Sequence, residues 1–334
     1  MKSILITGGS GFIGSNFIPF FLERNSEIKI VNLDLLTYAG KKENLQEIES
    51  HQNYVFVKGD VCDRDLIEKL FEKYSFTGVI HFAAESHVDN SISRPSAFIN
   101  TNIVGTFNLL DVAKNFWMDA PKSFKKGFEN SLFHHISTDE VYGSLGENGF
   151  FSEKTPYAPN SPYSASKASS DFLVRSYFHT YGLNVVTTNC SNNYGPKQHH
   201  EKLIPTIIRK AISGEQIPIY GNGKNIRDWL YVIDHCRGIE LVFKKGVRGE
   251  TYNIGGNNEK NNLYIANRIC ELLDQIRPKT VSYKRQISFV KDRPGHDYRY
   301  AIDATKIENE LGWKAEENFE SGIVKTINWY LENL

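Results

Sequence analysis

The feature that most constrains the fold of this chain is a glycine-rich turn between a short apolar strand and a helix near the N-terminus. The strand is predicted over residues 3–7 (SILIT), and Gly8, Gly11 and Gly14 follow it as an apolar helical pattern begins. Glycine allows a tight turn and a close approach of phosphate to the backbone, and the free N–H groups of the following helix bind anions. This arrangement predicts a site for a dinucleotide.

An acidic residue in the expected place supports that prediction. A second predicted strand, 28–33, ends in Asp34, about 20 residues after Gly14. A carboxylate there can accept hydrogen bonds from the adenosine ribose and would repel a 2′-phosphate, so NAD is favoured over NADP. Asp60 follows a third strand and is expected to lie against the adenine. The alternative, that Asp34 is an acid of a surface loop, stays open.

The rest of the first half alternates between apolar strands and helical stretches. Further strands are predicted at 54–57, 78–82, 131–136 and 184–189. Helices are predicted at 11–24, 41–49, 63–73, 96–117 and 161–181. Such alternation predicts an α/β fold, a Rossmann-type doubly wound parallel sheet with ligands at the carboxyl ends of the strands.

The alternation becomes irregular after about residue 190, which predicts a second domain. We expect an NAD-binding domain over 1–190 and a smaller α/β substrate-binding domain that occupies mainly 191–334. Residues 225–255 read as strand, helix and strand, and are expected to return to the first domain. The length of 334 residues agrees with two domains, since a domain has roughly 100–200 residues.

Composition excludes several classes of protein. The chain has 39 basic and 39 acidic residues, which argues against a partner such as nucleic acid or an anionic membrane. Its four cysteines are far apart, so neither a disulfide framework nor a zinc cluster is expected, and a reducing compartment fits. We find neither a signal-peptide core nor a run of about 18 apolar residues, and expect a cytoplasmic protein. The histidine pairs 134–135 and 199–200 lack the spacing of a metal site, so we predict no metal.

A second chemical motif, Tyr163-Ser-Ala-Ser-Lys167, opens a helical stretch that runs to about Tyr181. The spacing of its first and last residues places both side chains on one face of the helix. A phenol has a pKa of about 10, which is too high for a base at neutral pH. A neighbouring ammonium and a positively charged nicotinamide both favour the phenolate, so we predict that Tyr163 and Lys167 are catalytic. Without the dinucleotide signature, two surface residues on a helix would be the favoured interpretation, since this spacing of Tyr and Lys is common by chance.

The glycine turn TGGSGFIG and the YSASK motif together resemble the extended short-chain dehydrogenase/reductases, which modify nucleotide sugars. Longer segments resemble one family among them, the dTDP-glucose 4,6-dehydratases. These segments are HFAAESHVDNSI (81–92), STDEVYG (137–143), NNYGPKQHHEKLIP (192–205), PIYGNGKNIRDWLYVIDH (218–235), YNIGGNNEKNNL (252–263) and DRPGHDYRYAID (292–303). The resemblance extends from the first strand to about residue 330.

The resemblance implies an NAD-dependent hydro-lyase that converts dTDP-glucose to dTDP-4-keto-6-deoxyglucose. Tyr163 takes the 4-hydroxyl proton while hydride leaves C4, and the resulting ketone makes the neighbouring C5–H acidic. Glu140 then removes the C5 proton, Asp139 protonates the departing 6-oxygen, and the hydride returns to C6. Thr138 is expected to bond the sugar 4-oxygen, and Lys167 completes the catalytic set.

The adjacent acids Asp139 and Glu140 distinguish a dehydratase from its relatives, because a 4-epimerase or a UDP-glucuronate decarboxylase needs no acid at the 6-hydroxyl. Two adjacent acids are nevertheless common in polar loops. A 4,6-dehydratase or 4-epimerase that acts on a UDP-sugar stays open as an alternative. A non-catalytic NAD sensor is a further alternative, although such proteins commonly lose the Tyr163–Lys167 pair.

The resemblance also implies the residues that bind the ligands. Cofactor contacts are expected from Gly8, Gly11, Phe12, Ile13, Gly14, Asp34, Leu35, Leu36, Thr37, Asp60, Val61, Phe82, Ala83, Ala84, Ser86, Thr101, Tyr163, Lys167 and Asn193. Substrate contacts are expected from Ser86, His87, Thr138, Asn192, Lys202, Leu203, Pro218, Ile219, Tyr220, Arg227, Asn262, Arg293 and His296. Among the latter, the planar guanidinium groups of Arg227 and Arg293 suit a diphosphate.

Two helices carry many apolar residues and are candidates for a subunit interface. The stretches 96–117 and 161–181 include Phe107, Leu109, Leu110, Phe172, Leu173 and Val174. In the superfamily, such helices pair across a homodimer as a four-helix bundle. Packing within one chain is the alternative, and the sequence does not separate the two.

Overall fold

The structure is a computed structural model that describes residues 2–292 and 296–334 of the chain. Its strands in these residues are β1 (Ser3–Thr7), β2 (Lys29–Asp34), β3 (Tyr54–Lys58), β4 (Gly78–His81), β5 (Met118–Ala120), β6 (Ser123–Phe124), β7 (Leu132–Thr138), β8 (Val185–Cys190), β9 (Asn192–Tyr194), β10 (Ile217–Tyr220), β11 (Ile226–Tyr231), β12 (Thr251–Ile254), β13 (Glu259–Asn261) and β14 (Ile287–Val290). Its α-helices are α1 (Phe12–Arg24), α2 (Arg64–Tyr74), α3 (Val88–Ser93), α4 (Pro95–Phe98), α5 (Thr106–Trp117), α6 (Pro162–Tyr181), α7 (Leu203–Ser213), α8 (Val232–Lys245), α9 (Asn262–Ile276), α10 (Thr305–Leu311) and α11 (Phe319–Asn333). Shorter 3₁₀ turns cover Lys42–Ile48, Asp139–Tyr142 and Tyr283–Gln286, and Ile99–Gly105 is π-helical.

The main sheet of the described residues has seven parallel strands in the order β12-β8-β7-β4-β1-β2-β3. Its central strands are buried along their whole length, because β1 and β7 have no exposed residue. Continuous buried runs are typical of parallel strands that helices cover on both faces. The Rossmann-type α/β fold predicted from the sequence is confirmed. Successive strands are added on one side of β1 up to β3 and on its other side from β4 onwards, so the strand order reverses between β1 and β4. A crevice at such a point is the usual ligand site of this fold.

Two helices place chemically important groups at this crevice. Helix α1 begins directly after the glycine turn, and its N-cap, Gly11, makes no side-chain capping hydrogen bond. Helix α6 begins at Pro162 behind a capping box in which Ser161 and Ser164 each bond the other's backbone N–H. This cap fixes the start of α6 and therefore the position of Tyr163, one residue later.

The second half of the chain builds its own apolar core. Helices α7, α9 and α11 surround fully buried residues such as Ile207, Ile265 and Ile323. Beside them lie a pair of parallel strands, β10 and β14, and a small sheet in the order β13-β11-β9. The division of the chain into domains at 190/191 stays a prediction.

The segment 225–255 contributes strands to two different sheets. Strand β12 joins the edge of the main sheet beside β8, and helix α8 packs against α1. Strand β11 instead pairs with β9 and β13 in the small sheet. The Asp228 carboxylate accepts hydrogen bonds from Gly256 N at 2.9 Å and Asn258 N at 2.6 Å, which ties β11 to the chain that leads into β13. Helix α8 and strand β12 thus contact elements of the first half, and β11 contacts elements of the second half; the assignment of 225–255 to a domain stays a prediction.

The stretch 96–117 is not one regular helix. It divides into α4, a π-helical segment and α5, and the buried Asn102 lies within the π-helical segment. Its amide nitrogen donates to Ser166 Oγ at 2.8 Å, and its amide oxygen accepts from Glu85 N at 2.8 Å. The stretch 118–130 contains the hairpin of β5 and β6, with Met118 buried. None of the helices in 2–292 and 296–334 is long and apolar enough to cross a membrane.

Candidate active site

A cavity of about 310 Å³ opens at the carboxyl ends of the main-sheet strands. The glycine turn and the residues that follow β2, β3 and β4 line one side, while the ends of β7 and β8 and the start of α6 line the other. Its size falls in the range of ligand pockets, roughly 300–1,000 Å³. The cavity thus spans the crevice that the topology of the sheet creates.

The glycine turn lies against the loop that follows β4. The φ angle of Gly8 is +70°, and a Cβ atom built on this residue would lie 2.5 Å from the Ala83 nitrogen. A real Cβ could not occupy that position, so the turn can pass this close to Ala83 only with glycine. The approach brings the N-terminus of α1 and the residues after β4 to the same end of the cavity.

Asp34 closes the loop after β2 beside the glycine turn. One carboxylate oxygen accepts a hydrogen bond from Ser10 N at 2.9 Å, and the other accepts from Leu36 N at 2.8 Å. Burial raises the pKa of this carboxyl, and the two backbone donors oppose the rise. Asp34 therefore orders the glycine turn and also lines the cavity.

Tyr163 is buried at the cavity, where its hydroxyl is hydrogen-bonded to Thr138 at the end of β7. Burial, and next the Glu140 carboxylate, raise the pKa of this phenol well above its usual value, whereas the Thr138 hydrogen bond lowers it. The surroundings therefore keep Tyr163 protonated. Its neighbour on the helix, Lys167, donates from Nζ to Ile136 O at 2.8 Å, and burial lowers the pKa of Lys167 to about 8.

The two adjacent acids after β7 have different surroundings. Asp139 is buried, with only 1% of its surface exposed, whereas Glu140 is partly exposed. Burial first, and then the Glu140 and Asp228 carboxylates, raise the pKa of Asp139 well above its usual value, while Arg227 opposes the rise. Asp139 Oδ2 has no hydrogen-bond partner among the described residues. The pair can therefore combine a protonated carboxylic acid with a more exposed carboxylate.

The chain after β9 crosses over the start of α1 and reaches the cavity. Asn16 Nδ2 donates to Pro196 O at 2.9 Å, and Lys197 pairs with Glu47 at 2.9 Å. Further along, Lys202 Nζ donates to Ser86 O at 3.0 Å. These contacts bring residues of the second half against the glycine turn and the residues after β4.

Comparisons with known proteins agree with this geometry. Residues 5–326 match the family described as GDP-mannose 4,6 dehydratase. A dTDP-glucose 4,6-dehydratase of Salmonella typhimurium is 56% identical over 339 residues, covering 99% of this chain and 93% of the relative. The chain belongs to the dTDP-glucose 4,6-dehydratase family.

Solved structures of this family have the same fold. The dTDP-glucose 4,6-dehydratase of Bacillus anthracis, in complex with NAD, is 46% identical with a TM-score of 0.88, and the match covers 100% of this chain and 97% of that one. The enzyme of Streptomyces venezuelae with NAD and TYD bound is 42% identical with a TM-score of 0.89, over 99% and 98% of the two chains. The likeness therefore extends over both halves of the molecule.

Most residues that the dehydratase resemblance implies lie together at the cavity. These residues were predicted to contact the cofactor or the substrate or to take part in the chemistry, and they line the cavity. They are Gly8, Gly11, Phe12, Ile13, Gly14, Asp34, Leu35, Thr37, Asp60, Val61, Phe82, Ala83, Ala84, Ser86, Thr101, Thr138, Asp139, Glu140, Tyr163, Lys167, Asn192, Asn193 and Lys202. They come from both halves of the chain. Their roles stay predictions, but their convergence on one cavity supports them.

Three predicted residues are adjacent to the wall of the cavity and do not form it. Leu36 contributes its backbone N–H to Asp34, as described above. His87 is the N-cap of α3, with its ring 3.8 Å from a Glu201 carboxylate oxygen. Leu203 is the first residue of α7 and follows Lys202.

The residues predicted for the nucleotide end of the substrate lie together elsewhere, around the turn after β10. The Tyr220 and His296 rings meet edge to face at 6.4 Å, and Asn262 N donates to Asn225 O at 3.1 Å. Arg227 lies over the Tyr300 ring at 4.2 Å. Pro218 and Ile219 belong to β10, where Ile219 is fully buried, so its side chain is part of the core. Arg293 lies outside the described residues.

Sequence reasoning missed several parts of the cavity wall. Glu85, Ser137, Cys190, Ser191 and Gln198 line it but were not predicted. Glu85, Ser137 and Gln198 lie inside quoted motifs, and Ser191 is next to Asn192. Cys190 is the last residue of β8, so its position at the carboxyl end of a parallel strand was the available signal. His199 and Glu201 also line the cavity, although the first was weighed only as a metal ligand. Within 2–292 and 296–334, no group of three or more His, Cys, Asp or Glu side chains is arranged to hold a metal ion.

Proposed function

We propose that this chain is an NAD-dependent hydro-lyase that converts dTDP-glucose to dTDP-4-keto-6-deoxyglucose and water. The observation that carries the proposal is the convergence of Thr138, Asp139, Glu140 and Tyr163 on one cavity, with Asp139 in surroundings that keep it protonated. Elimination of water needs one group that donates a proton and one that accepts a proton. An epimerase requires neither at the sugar C5 and C6.

The residues at the far end of the cavity fit NAD. The N-terminus of α1 has no side-chain cap, so its first N–H groups can bind the pyrophosphate. A Cβ on Gly8 would be too close to Ala83, so only a residue without a side chain fits at this point of the turn. Asp34 lies at the end of β2, where it can reach the adenosine ribose. When bound, NAD accepts a hydride from the sugar C4 and later returns it to C6.

In the first step, Tyr163 takes the proton of the 4-hydroxyl while Thr138 bonds the same oxygen. Because burial and Glu140 raise the pKa of Tyr163, a positive charge has to oppose them before the phenol can act as a base. Lys167 provides one such charge from the next turn of α6. If NAD is bound, its positively charged nicotinamide ring would supply another.

In the second step, the C4 ketone makes the neighbouring C5–H acidic, and Glu140 removes that proton. Asp139, protonated because it is buried, gives its proton to the 6-oxygen, which leaves as water. A proton then returns to C5, and Glu140 is placed to supply it. The atoms balance as a loss of one water from the sugar, with no net oxidation.

The nucleotide end of the substrate is proposed to lie along the turn after β10. Tyr220 is 41% exposed, so its ring is available for stacking on a base, and His296 lies beside it. The Arg227 guanidinium donates to Asp297 O at 2.9 Å, one residue after His296, and its charge also lowers the pKa of Asp139. A diphosphate that crosses from the cavity to Tyr220 would pass the Arg227 guanidinium.

We also propose a homodimer in which α5, α6 and the π-helical segment before α5 form a four-helix bundle with a second copy. Phe107 is 40% exposed and Phe172 is 58% exposed, whereas Leu109, Leu110 and Val174 are buried within one chain. Ile99 and Val104, on the π-helical segment, are also exposed. Exposed phenylalanines on long helices favour a partner helix, because their burial removes apolar surface from water. Cytoplasmic localisation stays a prediction, supported by four cysteines that form no disulfide.

The test is to incubate purified, NAD-loaded protein with dTDP-glucose and to measure product by mass spectrometry and by the ultraviolet absorbance of a 4-keto sugar in alkali. The expected product is lighter than the substrate by one water. UDP-glucose and UDP-N-acetylglucosamine, tested in parallel, identify the preferred base. Folded, NAD-loaded protein that yields no keto sugar from any of them would refute the proposal and favour an NAD sensor.

A further inference from the structure

A buried carboxylate on α6 has no part in the steps above. Asp171 follows Tyr163 and Lys167 at the same spacing along the helix, so all three side chains lie on one face. It is only 5% exposed. A carboxylate removed from water in this way requires a compensating group.

His135 of β7 lies between Asp171 and the lysine. His135 Nε2 lies 3.4 Å from Lys167 Nζ and 3.1 Å from Asp171 Oδ1. Burial, and next the charge of Lys167, lower the pKa of His135 well below its usual value, so the ring is neutral. The same nitrogen of this neutral imidazole contacts both groups, so it can either accept a hydrogen bond from Lys167 or carry a proton towards Asp171, and it adds no charge of its own.

The two oxygens of Asp171 have different partners. Oδ2 accepts hydrogen bonds from Ser137 Oγ and Tyr157 OH, each at 2.9 Å. Oδ1 has no hydrogen-bond donor among the described residues and lies on the side of His135. The first oxygen holds the carboxylate in place, and the second directs its charge towards Lys167.

The other titratable groups near this pair are neutral. On the lysine side, His81 of β4 is buried with its pKa lowered well below the usual value, and burial raises the pKa of the Cys190 thiol on β8. On the carboxylate side, burial raises the pKa of Tyr157 and of Tyr142. Asp171 is the carboxylate that acts on Lys167, and its charge opposes the effect of burial on that ammonium.

We propose that Asp171 is a positioning residue for the reaction, which holds Lys167 protonated and in place across His135 so that Lys167 can favour the Tyr163 phenolate. The inference rests on the proposed function, since it assigns Asp171 a part in the first oxidation. It differs from a purely structural role because it requires the charge of the carboxylate and not only its hydrogen bonds to Ser137 and Tyr157.

The test is Asp171→Asn, which keeps an oxygen acceptor of the same shape and removes the charge. Burial already lowers the pKa of Lys167 to about 8. Without an opposite charge nearby, this pKa is expected to fall by about one unit or more. The basic limb of the pH profile for NADH formation in a single turnover should move to lower pH by the same amount, with a loss of rate up to about tenfold above pH 8.

Two matched variants separate charge from structure. Tyr157→Phe removes a hydrogen bond to the same carboxylate and keeps the charge, so its basic limb should coincide with that of the wild type. Asp171→Glu also keeps the charge and should restore the limb, even if altered packing lowers the rate. A basic limb of Asp171→Asn that coincides with the wild type, in protein that turns over, would overturn the inference.

The outcomes also distinguish the two proposals. Wild-type protein that forms no NADH from dTDP-glucose would refute the proposed function, whereas an active wild type with an unmoved Asp171→Asn profile refutes only the role of Asp171. If Asp171→Asn does not fold, Asp171→Ala combined with Tyr157→Phe removes the carboxylate together with one of its donors, so that hydroxyl is not left unpaired. The same shift is expected there, and a wild-type limb in that variant would contradict the inference.

Discussion

Substitution of Gly8 by alanine should weaken both the fold and the binding of NAD. The new Cβ would lie 2.5 Å from Ala83 N and 2.6 Å from Ala83 Cα, and both are backbone atoms that cannot rotate away. The φ of +70° adds a second cost, because a residue with a side chain disfavours the left-handed region. To accept alanine, the turn must move away from the loop after β4, and the N-terminus of α1 must move with it.

The magnitude follows from these two costs. The left-handed conformation costs roughly 1–2 kcal/mol, and forcing an extra methyl group into a packed site costs roughly 1–3 kcal/mol. The free energy of unfolding should therefore fall by about 2–5 kcal/mol. Gly214 offers a matched control, because its φ is +75° and a Cβ there would meet no atom within 4 Å. Gly214→Ala should lose only the conformational part, about 1–2 kcal/mol.

Urea unfolding of both variants without ligand measures how much more of the free energy of unfolding is lost in Gly8→Ala than in Gly214→Ala. Titration with NAD gives the second readout, where displacement of α1 should weaken binding at least about tenfold for Gly8→Ala, equivalent to about 1.4 kcal/mol. Gly214→Ala should bind NAD like the wild type, because Gly214 ends α7 and does not line the cavity. Equal losses of stability in the two variants would refute the reasoning, since they would mean that the contact with Ala83 relaxes at no cost.

Three further predictions test the proposed chemistry and assembly. Tyr163→Phe should abolish NADH formation on the enzyme, measured as absorbance in a single turnover; normal formation would exclude Tyr163 as the base. Asp139→Asn and Glu140→Gln should form NADH but lose about 10²–10⁴-fold in the release of water, since each removes one proton-transfer group; elimination by Asp139→Asn at the wild-type rate would refute its role as the acid. Phe172→Glu should convert the proposed dimer to a monomer in analytical ultracentrifugation, because a charge would be buried in the bundle; an unchanged sedimentation coefficient would place the interface elsewhere.

Local patterns in the sequence were sufficient for the elements around the glycine turn. Strand β1, the glycine turn and the start of α1 lie where the sequence predicts them, because each depends on neighbouring residues and on the period of the apolar positions. The same holds for α6, whose N-terminal cap fixes Tyr163 and Lys167 on consecutive turns. The acid at the end of β2 also lies at the cavity, since parallel strands bring their carboxyl ends to one edge.

Contacts between distant residues decided the rest. The pairing of β11 with β9 and β13, and the interruption of the 96–117 helix at Asn102, depend on partners far away in the chain. Asp228 and Arg227 of β11, which act on the pKa of Asp139, are far from it in the chain, so the motif alone could not show which acid stays protonated.

Asp171 illustrates the same limit most clearly. Its helical spacing from Lys167 was visible in the sequence, but His135 joins the two from a separate strand. The sequence by itself determined which groups are available and the elements that carry them. The tertiary structure alone decided which groups meet out of contact with water, and in that setting a charge depends on its neighbours for stability.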